Sequence, residues 1–145
     1  MKYVEIVGDL FGVDSSYQLA HCISADCKMG AGIAVTFTEE NPYMREILKK
    51  MCPIVGDVLY YNLEGRHGVF NLITKKRYFH KPTREDFNKT IVALRDKMLS
   101  YGHKKLAIPY LGSGIDRLDW EVSSDFIKET FKDTDIEILV VQYRG

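Results

Sequence analysis

The chain has 145 residues, 46% hydrophobic and 28% charged, with 20 Lys+Arg against 20 Asp+Glu. These values fit one ordinary globular domain over residues 1–145 with a sizeable core, and they exclude a disordered or collagen-like chain. A formal net charge of zero supplies no general field for nucleic acid or an anionic membrane, so any grip on phosphate has to be local.

Three cysteines at irregular spacing argue against a disulfide framework and for a reducing compartment. The opening stretch carries Glu5 and Asp9 among its apolar residues and does not read as a signal peptide. No run approaches the roughly 18 apolar residues of a membrane span. The expected setting is the cytoplasm (or the nucleus, in a eukaryote), with no membrane partner and a monomeric chain.

Residues 3–7 are short and β-branched and run into Gly8-Asp9, which predicts a first strand ending in a turn. A second strand is expected over 19–23. Gly30-Ala31-Gly32 then opens an apolar helix through Ile33, Ala34, Val35 and Phe37, stopped by Asn41-Pro42 because proline disfavours helical geometry in the residue before it. A second helical piece, 43–51, ends before Pro53. Residues 57–63 and 67–74 flank Glu64-Gly65-Arg66, as in a β-hairpin with a glycine in its loop.

The clearest helix follows Pro82. Thr83 is a good cap, and Phe87, Ile91, Leu94 and Met98 recur on one face of a 3.6-residue period until Gly102. Residues 106–111 form an apolar strand running into Gly112-Ser113-Gly114, Asp119 caps a last helix to Phe131, and 136–142 close the fold as a strand. Strands alternating with helices predict an α/β sandwich whose sheet is covered on both faces.

Two glycine-rich turns, Gly30-Ala31-Gly32 and Gly112-Ser113-Gly114, each follow a strand. Singly they read as punctuation. As a pair at the carboxyl ends of strands in an open α/β sheet they suit a diphosphate, because glycine lets backbone N–H groups approach it closely. Neither matches the G-x-G-x-x-G or G-x-x-x-x-G-K-[ST] fingerprints. His21, Cys22 and Cys27 lack a second ligand pair, so neither a metal nor a cofactor is expected. Charge is uneven: residues 75–84 hold Lys75, Lys76, Arg77, Lys81 and Arg84 with no acid before Glu85. That is either a solvated loop or the place where an anionic ligand docks. Lys75 ends an apolar strand at the sheet's carboxyl edge. An ordinary lysine is protonated at neutral pH, so its use as a nucleophile requires that its charge be disfavoured, by repulsion from neighbouring Lys76 and Arg77 or by loss of solvent.

Four segments together resemble the macrodomain fold, and within it the terminal ADP-ribose protein glycohydrolase subfamily. They are Gly8-Asp9-Leu10-Phe11; Ala20-His21-Cys22-Ile23-Ser24 through Met29-Gly30-Ala31-Gly32-Ile33-Ala34; Leu72-Ile73-Thr74-Lys75-Lys76-Arg77 with His80-Lys81-Pro82-Thr83; and Gly112-Ser113-Gly114-Ile115-Asp116-Arg117-Leu118 before Trp120. The resemblance implies a three-layer α/β/α sandwich with a mixed, mostly parallel sheet and an ADP-ribose cleft across its carboxyl edge. In that cleft Asp9 would hold the adenine amino group with Leu10 beside it. Gly30, Ala31, Gly32 and Ile33, together with Gly112, Ser113, Gly114 and Ile115, would enclose the diphosphate and distal ribose, with Ser24 near that ribose. Lys75 would attack the anomeric carbon and displace a carboxylate ester, and Asp116 would resolve the adduct, the two acting as a coupled proton shuttle.

The implied activity is release of ADP-ribose from acidic side chains or O-acyl-ADP-ribose, with nucleobases of ADP-ribosylated DNA as a further acceptor. A non-catalytic ADP-ribose reader and an ADP-ribose 1″-phosphate phosphatase are the alternatives. Tyr78-Phe79 replaces smaller residues of the subfamily, and Tyr110 replaces a basic one, which leaves the acceptor open. Tyr143 either packs on adenine or belongs to a frayed terminus.

Overall fold

Each helix and strand starts and stops at a local chemical signal. The computed structural model describes residues 1–62 and 65–143, and at Tyr143 the backbone alone. Its strands are β1 (Lys2–Gly8), β2 (Gln18–Ser24), β3 (Val58–Tyr61), β4 (Val69–Lys75), β5 (Lys105–Ile108) and β6 (Glu137–Tyr143). Its helices are α1 (Ile33–Glu40), α2 (Met44–Lys50), α3 (Arg84–Tyr101) and α4 (Trp120–Phe131). The Thr83 hydroxyl accepts from the Asp86 N–H at 3.0 Å, satisfying one orphan donor at the start of α3. Gly102 ends that helix at φ 75°, with its N–H turned back to the Leu99 and Met98 carbonyls, a conformation that favours glycine. Asp119 caps α4 by accepting from the Glu121 and Val122 N–H groups.

The sheet order is β1-β6-β5-β2-β4-β3. All pairings are parallel except β3 with β4. The carboxyl ends of β2, β4, β5 and β6 therefore share one edge. The chain leaves β2 toward β4 on one side and later returns on the other as β5. β2 is thus the point where the winding reverses, and open α/β sheets bind ligands outside the strand ends at such a point.

Side-chain alternation divides the core in two. Phe70, Leu72, Leu106, Ile138 and Val140 point to the face covered by Phe87, Ile91 and Leu94 of α3 and Ile127 and Phe131 of α4. Leu19, Ile23, Val69, Ile73 and Val141 point to the opposite face, covered by Phe37 of α1 and Met44 and Leu48 of α2. The layered sandwich and mostly parallel sheet are as the sequence implies.

Three details differ. The strand expected over 106–111 ends at Ile108, because Pro109 has no N–H to continue the ladder. A short 3₁₀ turn, Leu10–Gly12, follows β1; the Asp9 carboxylate, accepting from the Phe11 N–H, caps it. Edge strand β1 leaves Val4, Ile6 and Val7 exposed, so the cover expected on both faces stops short of it. The expected hairpin pairs β3 with β4; of its loop, Leu63 and Glu64 lie outside the described residues.

Phe87 is fully buried between α3 and the sheet. Phe87→Ala is expected to cost about 3–5 kcal/mol in urea unfolding, through lost burial and the cavity left behind. Thr83→Ala is expected to cost only about 1 kcal/mol. The reverse order would show that the helix is held by its cap rather than by its buried face.

Candidate functional site

Loops after β2, β4 and β5 rise at the carboxyl edge and enclose a cavity of about 530 Å³, within the range of small-molecule sites. Its wall includes Ser24, Lys28, the Gly30–Ile33 turn, Lys75, Tyr78, Tyr110, residues 112–116 and Gln142.

The loop after β2 is organised around Asp26. Its carboxylate accepts from the Ser24 hydroxyl, from the Lys28 N–H at 3.1 Å and from the Tyr78 N–H at 2.9 Å. Partial burial works against the charge, but these hydrogen bonds, with Arg77 nearby, hold the carboxyl below its ordinary value. Cys27 and Met29 adopt left-handed backbone at φ 53° and 49°, an uncommon conformation for residues with a Cβ. The loop ends at Gly32, φ 60°, where α1 starts with no side chain capping its first turn. Ile33 and Ala34 of that turn line the cavity, and the start of a helix favours an anion.

The loop after β5 turns at Gly112, φ 71°. A Cβ there would lie 3.0 Å from Leu118 and 3.3 Å from the Phe87 ring. The space is taken by the packing that supports the loop, so the position needs glycine for both reasons. The Ser113 hydroxyl donates to the Tyr110 carbonyl at 2.7 Å. Arg117, φ 57°, is the third non-glycine residue near the site with left-handed backbone.

Between these loops Lys75 Nζ lies 2.6 Å from Asp116 Oδ1, with the two side chains 10% and 11% exposed. An irregularity in the ladder directs the lysine. Ile23 pairs with Ile73, but Ser24 pairs with Lys75, so Thr74 is an extra residue on β4. Such a bulge re-aims the side chain that follows it. The Ala25 N–H then donates to the Lys75 carbonyl at 2.8 Å, tying the first loop to the second strand end.

The expected residues Lys75, Asp116, Ser24, Gly30, Ala31, Gly32, Ile33, Gly112, Ser113, Gly114 and Ile115 all line this one cavity. Asp9 and Leu10 do not. Leu10 is fully buried in the core, and the exposed Asp9 carboxylate caps its own turn. The Tyr143 side chain lies outside the described residues. Tyr110 donates to Glu5 at 2.9 Å and stacks on Trp120 at 4.7 Å, which turns its hydroxyl toward β1. Two further residues join the wall: Lys28, carried by the loop between Ser24 and Gly30, and Gln142, which no local pattern marks because it reaches the wall from the last strand through the tertiary fold.

His21 belongs to the wall of the cavity, yet it is buried and stacked on Phe37 at 3.8 Å. Asn71 spends its amide N–H on the Leu59 carbonyl, so its oxygen is the acceptor for His21 Nε2–H at 2.7 Å. Cys22 shares the wall, and burial pushes its thiol far up, which makes it an inert packing group at neutral pH.

No protein-family model matches the chain. It is 44% identical over 135 residues to human (Homo sapiens) ADP-ribose glycohydrolase OARD1, covering 93% of this chain and 88% of that protein. In structure it resembles the macrodomain of Mycobacterium tuberculosis DarG, with a TM-score of 0.88 at 23% identity over 97% of both chains. It also resembles Thermosipho africanus DarTG in complex with ADP-ribose, with a TM-score of 0.86 at 18% identity, covering 97% of this chain and 41% of that one.

Burial lowers the His21 pKa to about 4, against the hydrogen bond that His21 donates to the Asn71 oxygen, which works the other way. On acidification the unfolded chain therefore takes up this proton first. The contribution of neutral His21 to stability is full above about pH 6.5 and is lost as the pH falls toward 4. Burial lowers the His103 pKa as well, with the same sign. Urea unfolding between pH 7.5 and 4.5 is expected to lose on the order of 3 kcal/mol. A flat profile through this window would mean that His21 is not sealed from water.

Proposed function

The chain belongs to the ADP-ribose glycohydrolase family of macrodomains, and from that premise we infer that it hydrolyses the bond between a terminal ADP-ribose and an acidic side chain. The observation that carries this reading is the Lys75–Asp116 pair at 2.6 Å in the wall of a nucleotide-sized cavity. A site that only held ADP-ribose would need the backbone turns but no withdrawn amine beside a carboxylate.

In this reading the N–H groups of the Gly30–Ile33 and Gly112–Ile115 turns hold the diphosphate. Asp9, outside the enclosed cavity at the end of β1, receives the adenine amino group, with the buried Leu10 supporting its turn. Ser24, oriented by Asp26, accepts from a hydroxyl of the distal ribose. The Lys75 amine gives a proton to Asp116, and its freed electron pair forms a bond to the anomeric carbon. The bonding pair between that carbon and the ester oxygen leaves with the acceptor carboxylate. The resulting glycosylamine opens to an imine. Water adds at the same carbon while Asp116 manages its proton, the C–N bond breaks, and ADP-ribose leaves with Lys75 regenerated. The sum is ester plus water giving acid plus ADP-ribose. O-acyl-ADP-ribose is cut by the same steps.

Release of ADP-ribose from a glutamate-linked peptide is expected to fall to background in Lys75→Ala and by about 10²–10⁴-fold in Asp116→Asn. Calorimetric binding of free ADP-ribose should survive in both variants. Unchanged turnover in Lys75→Ala would remove the mechanism. A wild type that binds ADP-ribose and never releases it would make the protein a reader.

A further inference from the structure

The Lys75–Asp116 pair joins two segments that also meet at a second point. Further along the segment after β4, the Lys81 ammonium donates to the Ile115 carbonyl at 2.7 Å, one residue before Asp116. Lys81 is exposed and lies outside the cavity wall. Two rungs therefore link the segments, an ion pair inside the wall and a charged hydrogen bond on its outer side. The Lys81 end of the outer rung is fixed. It precedes the buried Pro82 and Thr83, the cap of α3. Arg84, in the first turn of α3, donates to the Ser123 hydroxyl at 2.7 Å and the Asp119 carbonyl at 3.3 Å, which ties this end to α4 as well.

The other end is loosely packed. Ile115 is 56% exposed, and a Cβ at Gly114 would meet nothing within 4 Å. The Arg117 and Leu118 N–H groups close the loop on its own Gly114 and Gly112 carbonyls. Among the described residues, hydrogen bonds from outside the loop reach residues 114–117 only from Lys75 and Lys81. Of these two, the proposed reaction removes the first. Once Lys75 has passed its proton to Asp116, an ammonium and a carboxylate have become an amine and a carboxylic acid, and their Coulomb attraction is gone. The nitrogen then bonds to the sugar, while Asp116 still has to manage the proton of the incoming water. The Lys81 bond takes no part in that transfer, so its charged donor and backbone acceptor are the same before and after it.

We infer that Lys81 is a positioning residue for Asp116, a strut that keeps its carboxyl over the sugar carbon while the ion pair is discharged. The inference rests on the proposed Lys75 chemistry and adds to it a residue outside the cleft. Lys81 is exposed, and surface substitutions of this kind change stability little. Its effect falls on the reaction instead, where a catalytic group displaced by about 1 Å can lose about 100-fold in rate.

The test compares three variants of the full chain on the glutamate-linked peptide. Lys81→Met removes the donor at similar side-chain length, Lys81→Arg keeps a charged donor, and Lys76→Met removes an exposed charge from the same segment. Lys81→Met is expected to lower kcat by about 10- to 100-fold, with calorimetric affinity for ADP-ribose and the urea midpoint unchanged. Lys81→Arg should recover most of that loss, and Lys76→Met should show none. Borohydride added during turnover should trap Lys81→Met at least as fully as the wild type, because breakdown of the adduct is the step that slows. A wild-type kcat in Lys81→Met, an equal loss in Lys76→Met, weaker trapping, or a loss matched by weakened ADP-ribose binding would overturn the strut. Lys75→Ala separates the two failures: if it turns over normally the reaction itself is wrong, and if it is inactive only the role of Lys81 falls.

Discussion

An ammonium and a carboxylate 2.6 Å apart, each about one-tenth exposed, set the conditions that the rest of the fold has to meet. Taking both out of water is costly, and their attraction recovers little more than that cost, so such a pair contributes weakly to stability. Lys75 comes from the end of β4 and Asp116 from the loop after β5, and β2 lies between those strands in the sheet. They meet only because that order brings both loops over the end of β2. The bulge at Thr74 matters equally, because an unbulged ladder would send the lysine to the other face.

The zero net charge of the chain fits the proposed grip on phosphate, which is made mostly of backbone. Two glycine turns and the uncapped start of α1 offer N–H groups at short range, where a general field is unnecessary. The conformations are held against local preference: Cys27, Met29 and Arg117 are left-handed without being glycine. Deviations of this kind cost on the order of 1–3 kcal/mol each and persist only where surrounding contacts fix them. Around Cys27 and Met29 Asp26 does the fixing, with two hydrogen bonds inside the first loop and one from the Tyr78 N–H after β4; around Arg117 the Arg117 and Leu118 N–H groups donate to the Gly114 and Gly112 carbonyls.

Wherever the chemistry is local, the sequence is readable. Thr83, Gly102 and Asp119 mark helix ends by capping geometry that needs only near neighbours, and the period of Phe87, Ile91, Leu94 and Met98 marks the buried face. Lys75 can be placed at a strand end because an apolar run stops there. What escapes is long-range. Asp26 reaches Tyr78 across 52 positions, the bulge at Thr74 exists only in the pairing of two strands, and Gln142 enters the wall from the last strand. Motif resemblance groups Asp9 and Leu10 with the cavity residues, whereas the 3₁₀ turn buries Leu10 and leaves Asp9 outside the enclosed space. Pro109 was visible throughout and explains why β5 ends at Ile108.

In the proposed mechanism an imine links Lys75 to the sugar, and that intermediate offers the most direct access to the central claim. Borohydride added while a glutamate-linked substrate turns over would deliver hydride to the former anomeric carbon and leave a stable secondary amine. Peptide mapping by mass spectrometry should then find ADP-ribose fixed on the peptide that contains Lys75, and on no other. Continued release of ADP-ribose with no trapped protein, or an adduct on a different residue, would contradict the account.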